Sequence, residues 1–568
     1  MIRVKSIANS NFFIAAMITL VSFVLVILFC DIKYEISDDF VVDAILSGAY
    51  TGQYNPHMLF SNILLGHFLV FLYAHTVSIS WYFVYLIVLG VVSIFTVNYL
   101  CLKRNNKLVG ILFALIVTVF FANDLFILPS FTKAASAVIA AGGFLLVEVL
   151  WETPEKKLSA RSIVLIIIAF ALMLSGSLLR FSCVYLVAPF VAIMFLLKII
   201  PHRKTINIIK HVAKKAACCL LLLIGLFFFQ FLNNAINDQH PEYRDYYAFN
   251  DIRVDITDTA KLEWKYYQED FESLGLDGLD FIMFDSWSFT DNDNYPPDRL
   301  VEIGKIYKSV LYNSINPGLR AAESFSQPYY YTIPVFISCI LLLLIASLID
   351  KKSIGRILLC ILGYFIMLGV FFYIGRSPYR IIYGLSFSLL VSIFSCVSIR
   401  DLPNKGLRNV LIILMVALIG IHLPIYVKDN SFKELDYSEY ILEADSIFTY
   451  SGEYVSSKYR YVMTAGDPYK NIIEHIENDP EHYYLCDFFS TIQTLYYYYT
   501  PWERLPLNYW NDNYSYLGGC TMGYPDNEKC WEENGINGLN PYKSFINDNV
   551  YVVDNYFIKY KLAYLRKH

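Results

Sequence analysis

What the chain has little of narrows its class first. Charged residues make up only 17% of its 568 positions, against the usual quarter in a soluble domain, while 56% are hydrophobic. There is no surplus of positive charge: the formal net charge is −5, which argues against a nucleic-acid partner. No zinc spacing is present, nothing repeats at a fixed period, and no low-complexity tract interrupts the chain. Most of the 11 cysteines sit inside apolar runs, as Cys218, Cys219 and Cys360 do, where they behave as small hydrophobes. Only Cys486, Cys520 and Cys530 fall in polar sequence, and Cys520 with Cys530 is a candidate disulfide if that region faces an oxidising compartment. The first apolar run, FFIAAMITLVSFVLVILFC, follows a basic start but has no small-residue cleavage pattern after it, so it is expected to stay as an anchor.

What the chain has in quantity is long apolar runs, with a mean hydropathy of +0.44. Runs long enough to cross a bilayer occur at about 12–30, 80–101, 108–122, 134–150, 162–179, 183–199, 216–232, 330–349, 357–374, 379–398 and 409–427. One more, at 57–74, contains Asn62 and His67, and the charge pattern decides its status. With that run lying flat and the N-terminus in the cytoplasm, the loops LKRNNK, WETPEKKLSAR, KIIPHRKTINIIKHVAKK, DKKSIGR and IRDLPNKGLRN all lie inside. Together with the N-terminus they carry about 20 Lys and Arg. The short outer loops then hold only Lys133, Arg180, Arg376 and Arg380. A full crossing by 57–74 would export every basic loop. The expected fold is therefore a polytopic α-helical membrane protein of about eleven transmembrane helices, set in a bacterial plasma membrane with its N-terminus cytoplasmic.

That topology divides the chain into a membrane module, 1–427, and an extracytoplasmic C-terminal domain, 428–568. The module exports a first loop, 31–79, and a second large loop, 233–329. The C-terminal part reads as an α/β unit, with HYYLCD and NVYVVD as short strands and NPYKSFI and FSTIQTLYYYY as helices. The 46 Tyr and 42 Phe are too many for interfacial belts alone, and the surplus is concentrated outside the spans.

The first outer loop, DIKYEISDDFVVDAILSGAYTGQYNPH, is the most distinctive stretch. Phe40, Val41, Ala44 and Ile45 form one apolar face of a short helix that Gly48 and Gly52 end, so the helix should rest on the membrane surface with its acidic start facing water. Asp38 and Asp39 open it. Ser37 or Asp38 would serve as its N-cap, with the next acid favoured by the helix dipole. Adjacent helical residues point about 100° apart, so the two carboxylates are not expected to serve one reacting atom. One should act and the other cap or orient.

An anchor helix, an acidic pair in the first outer loop, a surface helix, a second apolar helix near Trp81, many spans and an exported C-terminal domain together resemble the GT-C superfamily. Its members use polyprenyl- or dolichyl-linked sugars on the outer side of a membrane. The stretch SDDFVVDAILSGAYTGQYNPHMLFSNILLG is similar to the corresponding region of bacterial members from polysaccharide-assembly loci. The layout covers most of the chain, and the motif-level likeness is confined to this loop. Many relatives in the protein O-mannosyltransferase branch carry Asp-Glu and a His followed by prolines. Here the pair is Asp-Asp, and Pro56 precedes His57.

The resemblance implies an inverting glycosyltransferase that moves a monosaccharide from a polyprenyl-phosphate carrier to a cell-envelope polysaccharide or teichoic acid. Asp38 or Asp39 would be the catalytic base, since an acceptor hydroxyl must lose its proton as it attacks. The departing phosphate needs only neutralisation, which Arg180, Arg376, Arg380 and Lys133 offer, arginine forks matching phosphate oxygens best; Arg320 is an outsider for the same role. His57, Tyr246, Asp285 and Trp287 are candidates for acceptor binding, because rings stack on sugar faces while carboxylates bond hydroxyls. A divalent metal (Mg or Mn) at Asp38 or Asp39 is a further expectation. The Asp291–Glu302 run has the span of a calcium loop, but Pro296 stands where a glycine is needed. Other readings are a protein O-glycosyltransferase, a polymerase or ligase of lipid-linked glycans, and a transporter, though internally repeated halves are not evident. The richness in Ile, Asn, Lys, Tyr and Phe fits an AT-rich bacterial genome.

Overall fold

In a computed structural model of the chain, the described residues are 10–568 except 31, 77, 153–158, 200–207, 259–261, 315, 327–331, 402–404, 428–469, 488–499, 510–512 and 555–557. Each of the eleven apolar runs is a helix. Among the described residues, nine helices are long and apolar enough to cross a membrane, from Asn11–Phe29 to Tyr379–Cys396. Val335–Ile349 and Gly406–Gly420 are shorter apolar helices by the same measure. The protein is a multi-pass membrane protein. The ambiguous run at 57–74 becomes the helix Ile63–His75, whose 13 residues reach about 20 Å, short of a hydrocarbon core about 30 Å thick.

The bundle is built around Phe131–Glu152, of which 94% of the span is buried, against 6% for Val212–Asn237. Its sequence, FTKAASAVIAAGGFLL, explains the central place: small residues let neighbouring backbones come close, which is how helices gain packing in lipid. Gly142 faces Ala169 and Gly176 faces Ala135 so closely that a Cβ would stand 2.9 Å and 2.8 Å from the opposing carbonyl oxygens. The Trp81–Arg104, Ser182–Ile199 and Tyr379–Cys396 helices pack around it. The apolar faces of Val212–Asn237 and Ala160–Leu179 are left outward, as lipid-facing helices require.

The C-terminal region carries a three-stranded parallel sheet in the order β2-β1-β3, with β1 Tyr483–Asp487, β2 Tyr514–Leu517 and β3 Val550–Val553. Tyr484 pairs with Tyr514 and Tyr483 with Val550. The Pro525–Glu533 helix lies in the crossover from β2 to β3, as a parallel pair demands. HYYLCD and NVYVVD are thus strands, NPYKSFI is a 3₁₀ turn over Pro541–Ile546, and FSTIQTLYYYY lies outside the described residues. The surplus aromatic residues find their place here. Phe271, Phe281 and Tyr307 from the 233–329 segment share one core with Leu485, Trp531 and Tyr542 from the C-terminal region. Asp291, in the segment read as a calcium-loop echo, is instead a buried turn anchor, accepting hydrogen bonds from Asn540, Tyr564 and the Asp293 and Asn294 amides.

Candidate active site

The first-loop helix spans Ser37–Ser47 and departs from expectation in two ways. Its N-cap is Ile36, with no side-chain cap bond, so neither Ser37 nor Asp38 caps it. Nor does its acidic start face open water, because every residue from Asp39 to Ser47 is buried. The covering comes from sequence more than 450 positions away. Arg504 donates to the carbonyl oxygens of Ser47 (2.9 Å), Tyr73 (3.0 Å) and Thr76 (2.6 Å), and the Asn508 amide to that of Gly48 (2.8 Å). Tyr50 donates to Asn527 (2.8 Å). Gly48, in the left-handed region at φ 77°, turns the chain under that cover.

The two adjacent aspartates are separated by environment. Asp39 is fully buried, and its Oδ1 accepts from the Tyr82 hydroxyl (2.8 Å) and the Phe131 amide (3.0 Å). Phe131 is the first residue of the central helix, so Asp39 caps a neighbour rather than its own helix. Its other oxygen, Oδ2, is buried without a hydrogen-bond partner. Burial pushes the Asp39 carboxyl well above the usual carboxylate range, against the pull of the Tyr82 and Phe131 bonds. One helical turn on, Asp43 accepts from Tyr34 (2.9 Å), Ser80 (2.7 Å) and Tyr73. Burial raises this carboxyl too, and the three hydroxyls restrain it. Asp39 and Asp43 therefore hold the helix in place.

Asp38 is only partly buried and points elsewhere. It lies within electrostatic reach of Arg180, which is also close to Arg376 and Arg380, and it stands against the buried Cys520 thiol. Three of the four cations singled out in the sequence thus lie within electrostatic reach of one another around Arg180, with Asp38 on one side of it. Arg180 is the residue after Ala160–Leu179 and lies over the Phe131 ring (4.5 Å) while donating to Ser182 (3.1 Å). Arg376 follows the Gly375 that ends Ile354–Ile374, and pairs with Asp258 at 2.6 Å. Burial opposes ionisation of Asp258, but Arg253 and Arg376 hold its carboxyl below the usual range. Arg320's side chain lies outside the described residues.

Lys133 is different. It is fully buried and ion-paired with Glu35 (3.0 Å) and Asp124 (3.2 Å). Its charge is balanced inside the bundle. Of the acceptor candidates, Tyr246 donates to the Cys520 carbonyl (2.7 Å), and Trp287 lies under the Arg253 guanidinium (5.2 Å), which is itself near Cys520. Both border the Asp38 region. Asp285 is instead beside Tyr307, in the aromatic core. His57 stacks on Tyr243 at 3.7 Å, and its carbonyl accepts from Tyr524 (2.8 Å). Burial and the neighbouring His240 lower its pKa to about 4, so its ring is neutral at pH 7.

The candidate pair Cys520 and Cys530 is not joined as a disulfide, and Cys520 stands against Asp38. Among the described residues, no three His, Cys, Asp or Glu side chains gather as metal ligands. Asp43, Asp258 and Arg253 were missed in the sequence, and Cys520 was singled out only for pairing with Cys530, not as a neighbour of Asp38. Only Asp43 had a local signal, its four-residue spacing from Asp39. No family model matches the chain, and no curated protein or solved structure is detectably similar to it.

Proposed function

We propose that the protein is an inverting glycosyltransferase that transfers a monosaccharide from a polyprenyl-phosphate carrier to an envelope glycan outside the bacterial plasma membrane. The observation that carries this reading is the approach of Asp38 on one side, and of Arg376 and Arg380 on the other, to Arg180 beside the membrane bundle. Asp38 acts as the base. It takes the proton of the acceptor hydroxyl as that oxygen bonds to the anomeric carbon, and the carbon's bond to the carrier phosphate breaks. The arginines meet the negative charge that grows on the departing phosphate, so no acid has to protonate it. Attack opposite the leaving group inverts the anomeric centre.

The topology belongs to the same proposal. Eleven helices cross the membrane, Ile63–His75 stays at its surface, and the positive-inside bias sets the N-terminus in the cytoplasm and the C-terminal region outside. The layout and acidic loop of GT-C enzymes support the reading.

The test is transfer from labelled polyprenyl-phosphate sugars to envelope extract by purified protein, comparing wild type with Asp38→Asn. Loss of a general base lowers the rate by about 10²–10⁴. A folded Asp38→Asn protein that transfers at the wild-type rate would remove Asp38 from the chemistry.

A further inference from the structure

A second cluster of cations lies at the opposite end of the same helices. A cavity of about 340 Å³ is lined by Arg104, Lys198, Lys352 and Arg356, together with Ser395 and Ser398. Four helices supply it, and the other end of each lies beside the first-loop helix or the arginines around Arg180. Trp81–Arg104 begins beside Ser80, which bonds Asp43, and Ser182–Ile199 begins two residues after Arg180. Ile354–Ile374 ends before Arg376, and Tyr379–Cys396 starts next to Arg380. Helices of 18–24 residues are about 27–36 Å long, so the two clusters are a membrane thickness apart.

The positive-inside bias accounts for lysines and arginines in the loops at this end, but not for their collection around one cavity. A buried carboxylate organises them: Glu148, 3% exposed, takes Lys198 at 2.6 Å and Arg104 as well. Asp350 also lines the cavity, and Ser353 donates to it. Four cations against two carboxylates leave a surplus of two positive charges. The guanidiniums are not saturated. Arg356 donates one bond to the Cys396 carbonyl (3.1 Å), and the Arg104 Nε–H is buried and donates to nothing. The two serines at the same wall tie its charged groups in place, Ser395 donating to Glu148 (3.3 Å) and Ser398 to the Arg104 carbonyl (2.9 Å).

We infer that this cavity binds the phosphate of an anionic phospholipid headgroup from the leaflet opposite Asp38. Forked guanidiniums and lysine ammoniums are the groups that phosphate oxygens select, and basic pockets between transmembrane helices take anionic headgroups on the cytoplasmic side. The cavity far exceeds what a single water needs. The lipid would tie together the ends of four helices whose other ends carry the arginines near Asp38.

The experiment is native mass spectrometry of the full chain with phosphatidylglycerol or phosphatidylcholine added, for wild type, Lys352→Gln/Arg356→Gln and Arg161→Gln. Lys352 is exposed and Arg356 partly so, and the double variant keeps the buried Glu148 pairs, so it should fold. Arg161 is an exposed cation outside the cavity and serves as control. Wild type should retain phosphatidylglycerol over phosphatidylcholine, and the double variant should lose about thirtyfold in that affinity, at the usual increment for two cations near an anionic surface. Inorganic phosphate that displaces the lipid at millimolar concentration, and by itself raises the melting temperature of wild type but not of the double variant, would support the phosphate site while moving its source to solution. Equal retention of the two lipids with no effect of phosphate, or an equal loss in Arg161→Gln, would overturn the inference.

Discussion

Asp39 offers the sharpest separation of a structural carboxyl from a reacting one. Replacing it by Ala removes the acceptor for two buried donors, the Tyr82 hydroxyl and the Phe131 amide. Each donor left unsatisfied costs about 1–3 kcal/mol, so Asp39→Ala should lose roughly 2–6 kcal/mol before any cavity is counted. Asp39→Asn keeps an oxygen where Oδ1 now stands, and the atom it changes is Oδ2, which has no partner. Its cost should be about 1 kcal/mol or less. Asp38→Asn, at a partly exposed position, should leave stability unchanged while abolishing transfer. The measurement is thermal unfolding of the three variants and wild type in one lipid nanodisc preparation. The pH dependence follows from the raised carboxyl. An acid whose folded pKa exceeds its unfolded value binds its proton more tightly when folded. Its contribution is greatest below the unfolded pKa, about 3.9, and is lost as pH rises through the folded one. The melting difference between Asp39→Asn and wild type should therefore shift in favour of Asn as pH rises above the usual carboxylate range. A damaged Asp39→Asn protein, as unstable as Asp39→Ala, would refute the argument, because it would mean that an ionised Asp39 is what the fold requires.

Arg504→Ala should loosen the cover over the first-loop helix. Three carbonyls lose a charged donor in a partly exposed setting, a cost of about 2–3 kcal/mol, read as a lower melting temperature and faster proteolysis of the C-terminal region. Unchanged proteolysis would mean that the cover is held by packing alone. Gly142→Val should separate the two closest helices, since its Cβ would start 2.9 Å from the Ala169 oxygen; about 3 kcal/mol of destabilisation is expected in the same melts. If the arginines carry the leaving phosphate, transfer should persist in excess EDTA. Activity that disappears and returns with Mg or Mn would assign a divalent ion to the Asp38 region.

The membrane architecture was legible because a bilayer imposes a length and a polarity that one chain segment satisfies by itself. The run at 57–74 shows how far this goes: its status was ambiguous by length, and in the structure Asn62 is the N-cap of a helix of only 13 residues. Arg180, Arg376 and Arg380 were legible for a related reason. They stand out because the loops that the charge pattern assigns to the outside have so few cations. The sequence could not tell Asp38 from Asp39, since their difference lies in Tyr82, Phe131 and Cys520, which other segments deliver. Lys133 resembled the arginines by position, yet Glu35 and Asp124 enclose it. Asp258 had no local mark at all, and Cys520 was marked only as a candidate for pairing with Cys530. Their importance comes from tertiary neighbours 118 positions away for Asp258 and about 480 for Cys520.

The cover over the first-loop helix also has a history during synthesis. Ser47 and Arg504 are 457 positions apart, so at about 5–20 residues per second the ribosome needs roughly 20–90 s to follow one with the other. For that interval the carbonyls at the Ser47–Gly48 end of the helix have no cover, and that end must wait, hydrated or held by a chaperone, while the helices of the bundle are threaded past it. A segment made late in synthesis therefore completes the packing of one made early.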